Sequence, residues 1–323
     1  MGRPAWRPVL AAGALALVAA GCGSSGGSDA ASPSTTAKAT TTAAGAGASA
    51  AKPCGRDAAP PKTYDHVVVM LEENRTWTGG RTPEVGMGFS GGDMPFLAGL
   101  AEQCAYYEDW TETNGDQNSL NQYIGLTSGV LNDATVNDCE PSDTCQSTDD
   151  NIFRQVREAG GTARSYVDGA TEPCSAGSNK AKHIPALYYR GGDDASHCDE
   201  EVLPWSELDP DHLPTFAFLT PDQCHDGHDC PNGDVDAFAK ETLTKILDGA
   251  DYRKGKTLVV VVYDEDQPVP NLLIAPTAKA GAISSVVGSH AGLLKTFEQA
   301  LGLPVMDQGQ LPDATSLRPS ANV

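Results

Sequence analysis

Several short runs place side chains capable of chemistry where apolar stretches end. Glu72-Glu73-Asn74-Arg75 follows the run HVVVML from His66 to Leu71, and Asp264-Glu265-Asp266 follows the run of leucine and valine from Leu258 to Val262. Carboxylates and an amide carbonyl are hard oxygen donors, suited to Ca2+, Mg2+ or Mn2+, with iron or zinc as further options where nitrogen joins them. Ser119 lies between the polar stretch that starts at Asn114 and an apolar-periodic segment stopped by Gly129. A serine hydroxyl becomes a nucleophile when a metal lowers its pKa or a base takes its proton. Pro221 to Cys230 holds His225, His228, Asp222, Asp226 and Asp229, and reads as a metal site, a phosphate-binding edge or a polar turn. Each run also has a structural reading: acidic turns after strands, and Ser119 as a helix N-cap.

The elements that must position these groups are legible from the same pattern. Apolar runs without alternation, at His66 to Leu71 and Leu258 to Val262, predict strands buried on both faces of a sheet. Further strands are expected at 106–110, 162–167, 214–220 and 271–274. Helices are expected from Asp93 to Gln103, after Ser119, from Asp150 to Ala159, from Asp234 to Leu247, and from Ser289 or His290, with Ala291, Leu294, Phe297 and Leu301 along one face of the last. Five or six strands separated by helices give a three-layer α/β sandwich with a largely parallel central sheet. In such sheets ligands bind beyond the carboxyl ends of the strands, where Glu73 and Asp264 stand. Residues 168–209 read as a cap or insertion that makes Lys180, Lys182, His183 and Arg190 available as basic groups.

Composition narrows the function classes. The 323 residues carry a net charge of −21, and beyond residue 53 the balance is 18 basic to 42 acidic groups, or −24. An acidic body argues against nucleic acid as a partner, and an anionic substrate would need a metal or a local basic pocket. At the start, Arg3 and Arg7 precede an apolar run from Val9 to Ala20, and Val18-Ala19-Ala20-Gly21-Cys22 resembles a lipoprotein cleavage site. Residues 1–21 are expected to be a signal peptide. Cys22 is then the lipidated residue of a chain anchored to the cell membrane on its extracytoplasmic face, unless the signal is an ordinary secretory one. Residues 22–53, rich in Gly, Ser, Ala and Thr, read as a tether with a root-mean-square reach of about 30 Å. Residues 54–323 are expected to form the folded domain. Their eight cysteines suggest disulfides in an exported chain, most simply paired in order; zinc is the competing reading, although no C-x2-C spacing occurs.

Taken in order, Glu73-Asn74-Arg75, Ser119-Leu120 before Tyr123 to Gly129, Thr220-Pro221 leading to His228-Asp229, Tyr263-Asp264-Glu265, and Ser289-His290 before Leu293-Leu294 resemble the phosphoesterase family. That family includes bacterial phospholipases C and acid phosphatases and is similar in fold to the alkaline phosphatase superfamily. The resemblance implies that Glu73, Asn74, Ser119, Asp264 and Glu265 hold one divalent metal ion and that Ser119 is the nucleophile. It also implies that His228 and His290 line the phosphate site, with Asp226 and Asp229 as substrate-binding candidates beside them. Asn118 and Asn121 stand where relatives often have proline, and Asp266-Gln267 replaces the usual His-Gly or Gly-Gly. The expected activity is hydrolysis of phosphate monoesters through a phosphoserine. The alternatives are a phospholipase C-type phosphodiesterase and a non-catalytic metal-binding surface lipoprotein.

Overall fold

The computed structural model describes residues 49–77, 79–80, 93–113 and 118–323. The expected signal, Cys22, most of the tether and the polar residues 114–117 before Ser119 lie outside the described residues.

Eight strands form one sheet in the order β11 (Gly281–Ile283), β4 (Ala105–Tyr107), β10 (Asn271–Ile274), β9 (Thr257–Tyr263), β1 (His66–Glu72), β8 (Phe216–Thr220), β6 (Ala163–Val167), β7 (Val202–Pro204). β10 runs antiparallel to both its neighbours, and every other pairing in the sheet is parallel. Two small ribbons flank it, β2 (Arg75–Thr76) with β3 (Gly79–Gly80) and β5 (Trp110–Thr111) with β12 (Gly288–Ser289). All seven residues of β9 are buried, although successive side chains point to opposite faces, so both faces of the sheet are covered. One helical group is α1 (Pro95–Gln103) with α5 (Asn232–Asp248). A second is α2 (Ser119–Ser128), α3 (Ile152–Glu158) and α7 (His290–Leu301). α4 (Asp194–Glu201) packs on β6 and β7, and α6 (Ala250–Arg253) and α8 (Arg318–Ala321) are single turns. Among the described residues no helix is long and apolar enough to cross a membrane.

Register is what assembles the strand ends. Val67 pairs with Leu258 and Glu72 with Tyr263, so β1 and β9 finish level and Glu73-Asn74 lies beside Asp264-Glu265. The Asp264 N–H donates to Glu72 O at 3.0 Å, carrying the ladder one step past the strand. On the other side Met70 pairs with Leu219, and the chain leaving β8 returns Asp226 so that its carbonyl accepts the Glu73 N–H at 2.8 Å.

The cysteines pair in chain order: Cys54–Cys104, Cys139–Cys145, Cys174–Cys198 and Cys224–Cys230. The sheet has eight strands rather than five or six. The additional edge strands, Val202–Pro204 and Gly281–Ile283, are three residues each, too short to show a period. Helix starts also move. α1 is capped at Met94 rather than Asp93, and α5 begins at Asn232 after Pro231, with Asp234 in its first turn.

Candidate active site

β1 and β9 deliver a knot of oxygen atoms. Asn74 has φ 54°, a left-handed conformation uncommon for a residue with a side chain, and three contacts hold it there. Its N–H donates to Asp264 Oδ1 at 3.0 Å, its carbonyl accepts from the Arg75 guanidinium at 3.0 Å, and its side-chain amide donates to Glu73 Oε2 at 3.1 Å. Asp264 Oδ1 also accepts the Glu265 N–H at 2.8 Å. Asn74 Oδ1 and Asp264 Oδ2 are buried without a hydrogen-bond partner. Glu265 is buried beside them, and its charge acts on Glu73.

Ser119 comes from the opposite direction, as the first residue of α2. The N-cap position belongs to Asn118, whose side chain makes no capping bond, so the expectation that Ser119 caps the helix is not met. Instead the Ser119 hydroxyl donates to Glu73 Oε2 at 3.0 Å. Capping is done from a distance: Asp138 Oδ1 accepts the Leu120 N–H at 3.0 Å. The other oxygen of Asp138 accepts from Lys182 Nζ at 3.0 Å, and the same Nζ lies 3.3 Å from Ser119 Oγ.

His183 stands between two carboxylates, with Nε2 3.2 Å from Glu73 Oε1 and Nδ1 3.2 Å from Asp226 Oδ2. Its ring stacks on Tyr123 at 5.2 Å. Burial, and then the Asp226 charge, push Glu73 up to about 8. Burial likewise lifts Asp226 to about 7 and carries Asp264 well above the usual carboxylate range. His183 is held neutral by burial and by the adjacent Lys182 charge. Lys182 keeps its proton: burial works against the ammonium, and Glu73, Asp138 and Asp264 more than offset that. Like charges crowded in a dry site raise one another's pKa values, and a cation held among them reverses that effect.

The predicted residues thus fall into three positions. Glu73, Asn74, Ser119 and Asp264 are linked by direct hydrogen bonds, and Asp226 joins them through His183. His228 and Asp229 sit at the rim, paired with each other at 2.7 Å, and the His228 N–H donates to Asp226 Oδ1 at 2.7 Å. His290 lies beneath the site. Its Nε2–H donates to Tyr263 O at 3.1 Å, its Nδ1 faces Thr113 Oγ1 at 3.5 Å, its ring meets Trp110 edge-on, and burial lowers it to about 4. The sequence missed roles for Lys182, His183 and Asp138. The available signal was the cluster Lys180, Lys182, His183 in an acidic body.

Two other groups of metal-ligating residue types occur among the described residues. In one, Asp168, Asp222 and His225 bond one another, and in the other, with Asp234, Cys224 and Cys230 are already a disulfide.

A sequence model of the Phosphoesterase family matches residues 70–304, the stretch that contains every named residue of this site. The chain belongs to the phosphoesterase family. This phosphoesterase is accordingly a hydrolase acting on phosphoric ester bonds. It is 27% identical over 262 residues to phosphatidylinositol-3-phosphatase from Mycobacterium tuberculosis (strain ATCC 25618 / H37Rv), a match covering 77% of this chain and 81% of that one. Among solved structures it is similar to a putative sulfatase from Bacteroides thetaiotaomicron VPI-5482, with TM-score 0.54, 11% identity, and 80% of this chain and 75% of that one covered. It is also similar to a 2-O GAG sulfatase, with TM-score 0.51, 9% identity, and coverage of 80% and 74%. At such identities the likeness is one of fold, a mixed α/β architecture around a large, mostly parallel central sheet, as expected from the sequence.

Proposed function

We propose that this phosphoesterase hydrolyses phosphate monoesters through a phosphoserine at Ser119, with one divalent cation held by Glu73, Asn74, Ser119, Asp264 and Glu265. The observation that carries this reading is the pair of buried, unpartnered oxygens, Asn74 Oδ1 and Asp264 Oδ2, in the hydrogen-bonded cluster that also holds Ser119. A buried acceptor without a partner costs about 1–3 kcal/mol, so a cluster of them fits a cation that would satisfy several together. When bound, the cation would supply charge to neutralise the phosphoryl oxygens and lower the serine pKa. The all-oxygen donor set suits Ca2+, Mg2+ or Mn2+.

The chain's own groups account for the remaining steps. The Ser119 hydroxyl points its proton at Glu73 Oε2, which makes that carboxylate oxygen the acceptor of the proton as Oγ attacks phosphorus. The new Oγ–P bond forms as the ester P–O bond breaks, and the departing alkoxide takes a proton. His228 fits that task at the rim, since Asp229 engages Nδ1 and leaves Nε2 to exchange the proton. Water then cleaves the phosphoserine, releasing phosphate and restoring Ser119. His290, with its N–H committed to Tyr263 O and its ring neutral, acts in this reading as a positioning residue under Asp264 rather than as a phosphate contact.

The curated relative is named for a monoester on a lipid headgroup, and a chain lipidated at Cys22 on the extracytoplasmic face would meet such headgroups at the membrane surface. Ser119→Ala is expected to lower turnover of para-nitrophenyl phosphate at least about a thousandfold while the fold and most metal binding, through the four remaining ligands, persist. Acid quench during turnover should trap phosphate on Ser119 in the unsubstituted protein. Near-normal activity in the variant would remove Ser119 as nucleophile. Hydrolysis of bis-para-nitrophenyl phosphate or phosphatidylcholine in preference to the monoester would favour the phospholipase C-type reading. Metal binding without hydrolysis of any ester would favour a binding lipoprotein.

A further inference from the structure

Lys182 and Asp138 form a device that the reaction scheme above does not use. We propose that Lys182, held in place by Asp138, binds a non-bridging phosphoryl oxygen and makes the site select monoester dianions over diester monoanions; this rests on the reading of Ser119 as the nucleophile.

Three observations point there. Lys182 Nζ is 3.3 Å from Ser119 Oγ, and its side chain is only 19% exposed, so its charge is directed at the reacting atom rather than at bulk water. In-line attack brings phosphorus to about 3–3.5 Å from Oγ before reaction, and the equatorial oxygens then fall within reach of a donor beside that atom. Second, the helix does not supply this donor from Leu120. The Leu120 N–H, which would otherwise face an anion at the start of α2, is taken by Asp138 Oδ1. Third, Asp138 is fixed on both oxygens, one to α2 and one to Lys182 Nζ at 3.0 Å. It adopts φ 50° directly before Cys139, whose disulfide to Cys145 and whose carbonyl, accepting from Tyr188 Oη at 2.8 Å, anchor the loop.

The selectivity follows from charge. Glu73, Asp226, Asp264 and Glu265 crowd the site with carboxylates, so each further negative charge on the substrate needs a cationic partner. A monoester dianion presents an additional charged oxygen that Lys182 can bind. A diester carries an esterified, weakly accepting oxygen at the equivalent place.

The test compares Lys182→Met, Lys182→Arg and Asp138→Asn with the unsubstituted metal-loaded protein. Para-nitrophenyl phosphate and bis-para-nitrophenyl phosphate serve as substrates, and calorimetric binding of inorganic phosphate is a readout that needs no turnover. Lys182→Met is expected to lower kcat/KM for the monoester about 10²–10³-fold, the scale of losing one charge-stabilising donor, and to lower the diester rate less than about tenfold. Phosphate binding should weaken at least tenfold. Lys182→Arg should restore part of both, and Asp138→Asn, which keeps an oxygen for Leu120, should fall between. A purely structural ion pair would instead lower Tm and reduce both substrates equally, and that outcome, or unchanged phosphate binding in a folded Lys182→Met protein, would overturn the proposal. If Lys182→Met does not fold, an unchanged monoester-to-diester ratio and unchanged phosphate binding in Asp138→Asn would overturn it. Acid-quench trapping separates the two readings. Phosphoserine at Ser119 with an unchanged ratio in Lys182→Met rejects the lysine alone, whereas absence of phosphoserine from the unsubstituted protein rejects the nucleophile.

Discussion

At the scale of single residues, the site is defined by atoms whose partners are missing. Asp264 uses Oδ1 twice, for the N–H groups of Asn74 and Glu265, and leaves Oδ2 buried and unmet. Asp264→Asn keeps an oxygen for both backbone donors, so the local turn should survive while the anionic ligand is lost. Metal affinity is expected to fall at least about tenfold and activity with it, with excess metal restoring part of the activity. Metal titration of the variant followed by calorimetry checks this, and unchanged metal content and turnover would dispose of the strand-end site. Glu73, Asn74 and Asp264 could be found in the sequence because each follows an apolar run that has to be a strand. Lys182 and His183 could not be assigned in the same way. They sit in a single 3-10 turn, Ala181–His183, inside an irregular insertion, so no periodicity shows where their side chains go.

At the scale of elements, α2 is a lever with Ser119 at its tip. All ten of its residues are buried, and it fits against the segment after β5 because residue 125 is glycine. A Cβ on Gly125 would lie 2.2 Å from Thr113 Cγ2. Thr113 cannot easily retreat, since its N–H donates to Gln122 Oε1 at 2.8 Å and its carbonyl accepts from Gln310 Nε2 at 2.8 Å. Alanine is the better helix former by about 1 kcal/mol, but overpacking of this kind costs about 1–3 kcal/mol, so the clash decides the sign. Gly125→Ala is therefore expected to lower Tm and, by shifting Ser119 against Glu73, to reduce kcat by up to about a hundredfold. Adding Thr113→Gly should recover most of both losses; failure of that rescue, measured by thermal melts and steady-state rates, would show that the close approach is not what constrains the helix. The sequence showed that a helix begins near Ser119 and that Gly129 ends it. It did not show that a distant aspartate would do the capping, because Asp138 meets Leu120 through a loop closed by tertiary contacts and a disulfide rather than through local spacing.

At the scale of the whole molecule, an acidic chain of net charge −21 concentrates buried carboxylates at the carboxyl ends of its central strands, and pH should reveal what balances them. Glu73 is raised to about 8 and Asp226 to about 7, and Glu72 and Asp264 are also raised, all chiefly by burial. His183 and His290 are lowered from 6.5, so their contribution is present above that value and is lost on acidification. Between pH 6.5 and about 8 the carboxylates therefore set the sign. The folded, metal-free protein binds more protons than the unfolded chain, and its stability should fall as pH rises through the window. Glu298, raised to about 7 away from these strand ends, adds the same slope with or without metal, so the informative quantity is the difference between the two melting curves. A cation at Glu73, Asn74 and Asp264 displaces the excess protons, and its affinity and the Tm gain it produces should both grow from pH 6.5 to 8. Asp264→Asn should remove most of that growth. A Tm gain that stays constant across the window, or that persists in the variant, would place the metal at a site without raised carboxylates.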